Sequence, residues 1–164
     1  MRRPALALAA VALAVAGCGG GHKSTSGDSA AKARFIQQAD AICAKGNQAI
    51  SPYETKLSGL ISSADSAKFF AQAPGLIRKA TAVTRKYVDH LDAVPAPAGD
   101  KAKLDTWRAG VRRQVDLLDT TAEAIGAKDN QRVQAISNQV DKLNKQNNAF
   151  AKSYGMKACS ETPG

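Results

Sequence analysis

Apolar residues recur at steps of three and four along most of this chain, and no alternating strand-like pattern of useful length interrupts them. The first periodic segment runs from about Ala30 to Ile50, with Phe35, Ala39, Ile42, Gly46 and Ala49 on one stripe. Ser51-Pro52-Tyr53-Glu54 then reads as a helix restart: Ser51 can cap, Pro52 suits the first helical position, and Glu54 completes a capping box. A bend near Ser51 is expected, not a reversal, and the segment ends at about Ile61. Asp65 is placed to cap a second helix whose stripe is Phe69, Ala73, Leu76, Ala80, Val83, Tyr87 and Leu91. Pro74-Gly75 falls inside it without breaking the phase, which predicts a proline kink.

Val94-Pro95-Ala96-Pro97-Ala98-Gly99 cannot stay helical, so the chain must turn there. Asp100 is expected to cap a third helix carrying Leu104, Trp107, Val111, Val115, Leu118, Ala122 and Ile125. Gly126 suits its C-terminal cap and Asp129 the next N-cap. The fourth helix shows Val133, Ile136, Val140, Leu143, Asn147, Phe150 and Tyr154, and Gly155 ends it. Four amphipathic helices with short connections predict an all-α fold: an antiparallel four-helix bundle, up-down-up-down, with its first helix bent near Ser51 and its second kinked near Pro74.

The first seventeen residues differ in kind. Met1-Arg2-Arg3 is followed by an uncharged apolar run, Ala5 to Ala16, and then by Gly17-Cys18. Twelve residues make about 18 Å of helix, short of a hydrocarbon core of about 30 Å, so a signal fits better than a membrane span. The segment resembles the type II signal peptide of bacterial lipoproteins. That resemblance implies cleavage before Cys18, a diacylglyceryl group on its thiol, and palmitate-like acyl chains holding the mature chain to the membrane. Two acyl chains anchor stably where one is marginal. Residues 1–17 are thus expected to be the cleaved signal, 18–29 the lipidated N-terminus with a Gly/Ser-rich tether, and 30–164 the bundle domain. His22 lies in the tether and has no partner ligand in sequence.

Cys43 and Cys159 remain, an even pair that in an exported protein reads as a disulfide. Ala39, Cys43 and Gly46 lie on one helical face and are all small, which predicts a groove receiving Met156 to Cys159. The formal charge of +9 becomes +7 without Arg2 and Arg3. A basic cytosolic chain would suggest nucleic acid; outside the cytoplasm no nucleic-acid partner is expected, and anionic lipid or anionic wall polymer takes its place. Arg78, Lys79, Arg85 and Lys86 recur seven residues apart, and Arg108, Arg112 and Arg113 form a similar cluster. Together they are the candidate anionic-surface contact. Asp105, Asp116, Asp119 and Glu123 are interspersed with them, which also fits ordinary surface ion pairing.

No catalytic constellation is legible. His90 is the single histidine of the domain and sits where a helix dipole favours it. There is no nucleophile elbow, no His-x-x-x-His, no Cys-x-x-Cys-His and no glycine-rich phosphate loop. Neither an enzyme nor a cofactor or metal is expected. Asn147 stands on an apolar stripe, where a buried amide can fix helix register.

The segments FIQQADAICAKGN (35–47), LDAVPAPAGD (91–100) and YGMKAC (154–159) resemble those of small uncharacterised helical lipoproteins of actinobacteria. The likeness implies a disulfide-stapled helical domain outside the cytoplasm and brings no activity with it. The expectation is a non-catalytic envelope module that binds or organises another envelope component, a protein partner included. The alternative is a carrier of a small apolar ligand or lipid in an interhelical cavity, which predicts loosened packing around Pro74.

Overall fold

The computed structural model describes residues 26–161; the expected signal, Cys18, His22 and the first part of the tether lie outside that range. Within it the chain folds as an antiparallel four-helix bundle without strands: α1 (Ser26–Ser62), α2 (Ser66–Asp92), α3 (Lys101–Gly126) and α4 (Asn130–Tyr154). Single 3-10 turns at Ala98–Asp100 and Ala158–Ser160 precede α3 and end the fold. Helix α1 starts at Ser26, so the end of the expected tether is already helical.

The two internal prolines do not divide their helices. Both α1 and α2 run uninterrupted, through Pro52 and Pro74 respectively. Each proline leaves one preceding carbonyl without its helical donor, a local loss that a long, tertiary-packed helix absorbs. Ser51 therefore caps nothing; its carbonyl instead accepts the Thr55 hydroxyl at 3.0 Å.

The connections follow the caps. Asp65 accepts from the Lys68 N–H and Asp129 from the Arg132 N–H, both at 2.9 Å, as the sequence predicts. Two other caps differ. The carboxylate of Asp100 sits at the head of α3 but makes no capping bond, because the Tyr154 hydroxyl donates to it at 2.8 Å. At the end of α3, Gly126 stays helical and the left-handed residue is Lys128 (φ 56°). Its N–H and that of Asp129 close on the carbonyls of Ile125 and Ala124.

Sequential helices pack on one another, α1 on α2, α2 on α3 and α3 on α4. Two separate apolar cores result. One, at the end holding the N-terminus of α1, contains Phe35, Leu91, Leu104, Trp107, Tyr154 and Met156. The other, near the α1–α2 turn, contains Leu60, Ala73, Ile77, Ala122 and Ile125. In α2 the buried residues are Ala73, Pro74, Ile77, Thr81, Val88 and Leu91: Ala73 and Leu91 lie on the expected stripe, and between them the buried line runs one position round from Leu76, Ala80 and Tyr87. Thr81 was not legible as core, yet its hydroxyl donates to the Ile77 carbonyl at 2.9 Å, so it is buried without an unpaired polar atom. Ile61, in the last turn of α1, is 64% exposed.

Candidate functional site

Three features have the makings of a site: the C-terminal tail, the basic residues, and the concavities between helices.

The tail begins where Gly155 takes φ 102°, a left-handed cap open to glycine at little cost. The Met156 N–H reaches the Ala151 carbonyl at 2.9 Å and the Gly155 N–H the Lys152 carbonyl at 3.1 Å, closing a Schellman motif. Reversed by this cap, the chain drops Met156 into the core, fully buried against the Phe35 cluster. The tail then crosses to α1. Asp40 accepts from the Lys157 N–H at 2.9 Å and the Cys159 N–H at 3.3 Å, and Asn47 donates to the Ala158 carbonyl at 3.3 Å. Cys159 is bonded to Cys43 with 5.1 Å between Cα atoms.

The expected groove is thus real in Ala39 and Cys43 but not in Gly46. A methyl on Gly46 would lie 3.3 Å from the Tyr87 ring, so that glycine admits α2, not the tail. Asp40 and Asn47, polar and three and four residues from Cys43, supply the docking instead. Because α1 and α4 share little surface directly, this tail joins them. Their direct contact is at the same end, where the Phe35 and Tyr154 rings meet edge-on at 5.9 Å.

The basic residues do not form one face. Arg85 pairs with Asp116 and Asp119 at 2.8 and 2.9 Å. Arg112 holds Asp92 through two bonds of 2.7 and 2.9 Å, which raises its own pKa. Arg108 is buried, 6% exposed, donating to the Val94 carbonyl and lying 5.4 Å over the Phe35 ring. Such an arginine ties the proline-rich connection to the core and cannot meet an external anion. Among the described residues, Arg78, Lys79, Lys86 and Arg113 are exposed and take no part in an ion pair. The first three belong to α2 and Arg113 to α3. Asp105 is held below the usual carboxylate range by its bond to Lys101, with Arg108 and Arg112 adding to the field.

Two concavities stand out. One is a groove of about 650 Å³ between α3 and α4, floored by Trp107, Gly110, Leu143 and Phe150 and edged by Lys103 and Arg113. Trp107 and Phe150 stack at 5.9 Å, and Phe150 stacks in turn on Tyr154 at 5.6 Å. Asn147, buried as its stripe position implies, donates to Gln114 at 3.0 Å and lies over Gly110. A methyl on Gly110 would come within 2.5 Å of the Asn147 side-chain oxygen, so this pair fixes the α3–α4 register. The other is an apolar pocket of about 140 Å³ among α1, α2 and α3, bounded by Ile42, Gly46, Ile50, Tyr87, Val88 and Val111. At Pro74, where loosened packing is the expectation of the carrier reading, the ring is buried and would lie in ordinary contact, 3.8 Å, with a methyl placed on Gly126 of α3.

His90 is exposed with its ring edge-on to Tyr87 at 6.0 Å. Among the described residues no group of His, Cys, Asp and Glu could hold a metal ion, and no helix is long and apolar enough to cross a membrane. No protein family, curated protein or solved structure matches this chain.

Proposed function

We propose that this is a lipid-anchored, extracytoplasmic lipoprotein whose helical bundle is a non-catalytic binding module of the cell envelope. The observation that carries the reading is the order of residues at the front of the chain: Arg2-Arg3, twelve apolar residues, then Gly17-Cys18. The Cys43–Cys159 bond is in keeping with it, since disulfides persist in oxidising compartments. Helix α1 begins at Ser26, eight residues after Cys18, so on this reading the end of the bundle that holds Phe35 and Tyr154 is the end nearest the anchor. The partner would be an envelope lipid, wall polymer or protein met at that surface. Growth with alkyne-tagged palmitate tests the anchor: the wild-type chain takes up label and fractionates with membranes, and Cys18→Ala loses both. Equal labelling of the two would refute it.

A second reading, carriage of a small apolar ligand, is favoured by the pocket beside Gly46. Its volume is close to that of a cavity known to take benzene, about 150 Å³. It is too small for a whole lipid, so on this reading the cargo is a compact hydrocarbon.

A further inference from the structure

We infer that the α3–α4 groove is a binding site for an anionic amphiphile: a carboxylate or phosphate at the Arg113 end, with a short apolar body lying over Leu143 and Phe150. The inference deepens the binding-module reading by naming a ligand class. It does not depend on how the chain is anchored.

Size comes first. At about 650 Å³ the groove falls in the range of about 300–1,000 Å³ that small-molecule sites occupy. Charge comes next. The lining holds two cations, Lys103 and Arg113, and no carboxylate. Some basic side chains of the bundle are answered by acids, Arg85 by Asp116 and Asp119, Arg112 by Asp92 and Arg132 by Glu123, whereas Arg78, Lys79 and Lys86 on α2 are not, among the described residues; what sets Arg113 apart is its place at the edge of the α3–α4 groove. Arg113 is exposed and has no such partner among the described residues. Lys103 has only Asp100, at 3.9 Å. A guanidinium at the lip of an apolar groove is therefore left to be satisfied by water or by a ligand, and its planar fork suits a carboxylate or phosphate.

The floor sets the rest of the ligand. Leu143 and Phe150 are mostly buried, Phe150 against the core, but each keeps part of its apolar surface in the lining of the groove. Phe150 is held in place by its stacks on Trp107 and Tyr154, and Asn147 on Gly110 keeps the two helices in register beneath it. The floor is therefore rigid before anything binds, which spares the ligand an ordering cost. Arg113 and Trp107 are six residues apart on α3, about 9 Å along the axis. An acyl chain of eight carbons anchored at Arg113 spans that distance.

Trp107 is the single tryptophan of the chain and reports on the groove directly. The full chain, acylated or not, is mixed with nanodiscs of zwitterionic phosphatidylcholine at pH 8 and titrated with octanoate while its tryptophan emission is followed. The expected result is a saturable change that octanol at equal concentration does not reproduce. Arg113→Gln weakens the apparent affinity at least fivefold, Arg113→Lys less, and Gln146→Glu, which sets a carboxylate in the lining, abolishes it. Arg113 and Gln146 are both exposed, and unchanged melting temperatures show that the variants are folded. A second titration in nanodiscs containing phosphatidylglycerol identifies the source of the anion. A raised apparent octanoate Kd there supports the site with lipid headgroups as occupants; an unchanged Kd supports it with a free amphiphile. No saturable change with octanoate, an equal response to octanol, or no effect of Arg113→Gln and Gln146→Glu overturns the inference. Loss of palmitate labelling at Cys18 would leave it standing.

Discussion

Removing the Cys43–Cys159 bond is the perturbation whose size the structure constrains best. The two cysteines are 116 residues apart in sequence, so the cross-link closes nearly the whole described chain into one loop. In the chain-entropy treatment a loop of that length restrains the unfolded state by about 5 kcal/mol. The native contacts of the tail do not depend on the bond: Met156 stays buried, the Gly155 cap stays closed, and Asp40 still accepts from the Lys157 N–H. The double variant Cys43→Ala/Cys159→Ala should therefore fold as the wild type does and lose about 3–5 kcal/mol, the upper part of the range of about 2–5 kcal/mol that loss of a native disulfide typically costs. Against a usual total of about 5–15 kcal/mol that is a large fraction. Urea unfolding followed by far-ultraviolet circular dichroism reads it as a lower midpoint. The slope should rise, since a chain without the cross-link exposes more surface on unfolding. A midpoint unchanged within error would refute the reasoning, for it would mean that the tail does not restrain the unfolded chain. Asp40→Asn separates docking from cross-linking: it weakens two charge-assisted bonds and should cost about 1–3 kcal/mol with the disulfide intact.

Three further outcomes follow from single contacts. Gly110→Ala gains helix propensity of up to about 1 kcal/mol, yet should destabilise by about 1–3 kcal/mol because its methyl meets Asn147; in an Asn147→Ala background the same change should be neutral or stabilising, as paired thermal melts would show. Gly46→Leu should lower the melting temperature through Tyr87 while leaving the disulfide fully formed by thiol titration, since that glycine faces α2 and not the tail. Burial and the bond to Asp100 raise the Tyr154 pKa above its ordinary value of 10.0. The folded state then holds a proton that the unfolded state releases, so this contribution is complete below pH 10 and is lost as pH rises towards the folded value. Tyr154→Phe should be less stable at neutral pH by about 1–2 kcal/mol and show a shallower loss above pH 10; parallel alkaline slopes in the two proteins would contradict that.

What the sequence made legible were the features carried by short spacing. Four helices, the caps at Asp65 and Asp129, the left-handed Gly155 and the cysteine pair follow from periodicity and from residues whose local chemistry leaves few choices. What it hid were the pairings across helices. Asp100 has the right position for a cap, but its carboxylate belongs to Tyr154, fifty-four residues on. Arg108 reads as one of a basic cluster and is instead a core residue. Ion pairing of the basic residues was legible from the interspersed acids, and Arg85 does meet two of them, Asp116 and Asp119; that Arg112 would meet Asp92 appears only when α2 and α3 are set side by side. Asp40 and Asn47 gave no signal at all, because a polar residue on a helix carries no mark of what will fold back onto it. The same holds for the groove: Arg113 and Phe150 have no relation in sequence, and only the α3–α4 register brings them to one surface. Gly110 is the clue that was available. A mid-helix glycine asks what approaches it closely, and here the answer is Asn147.

The most direct test of the central claim, that acyl chains on Cys18 hold this bundle outside the cytoplasm, is the intact mass of the protein extracted from membranes. The account predicts a polypeptide that begins at Cys18, lacks residues 1–17, and carries the added mass of a diacylglyceryl group on that residue. A chain retaining residues 1–17 with an unmodified Cys18, recovered from the soluble cytoplasmic fraction, would contradict it.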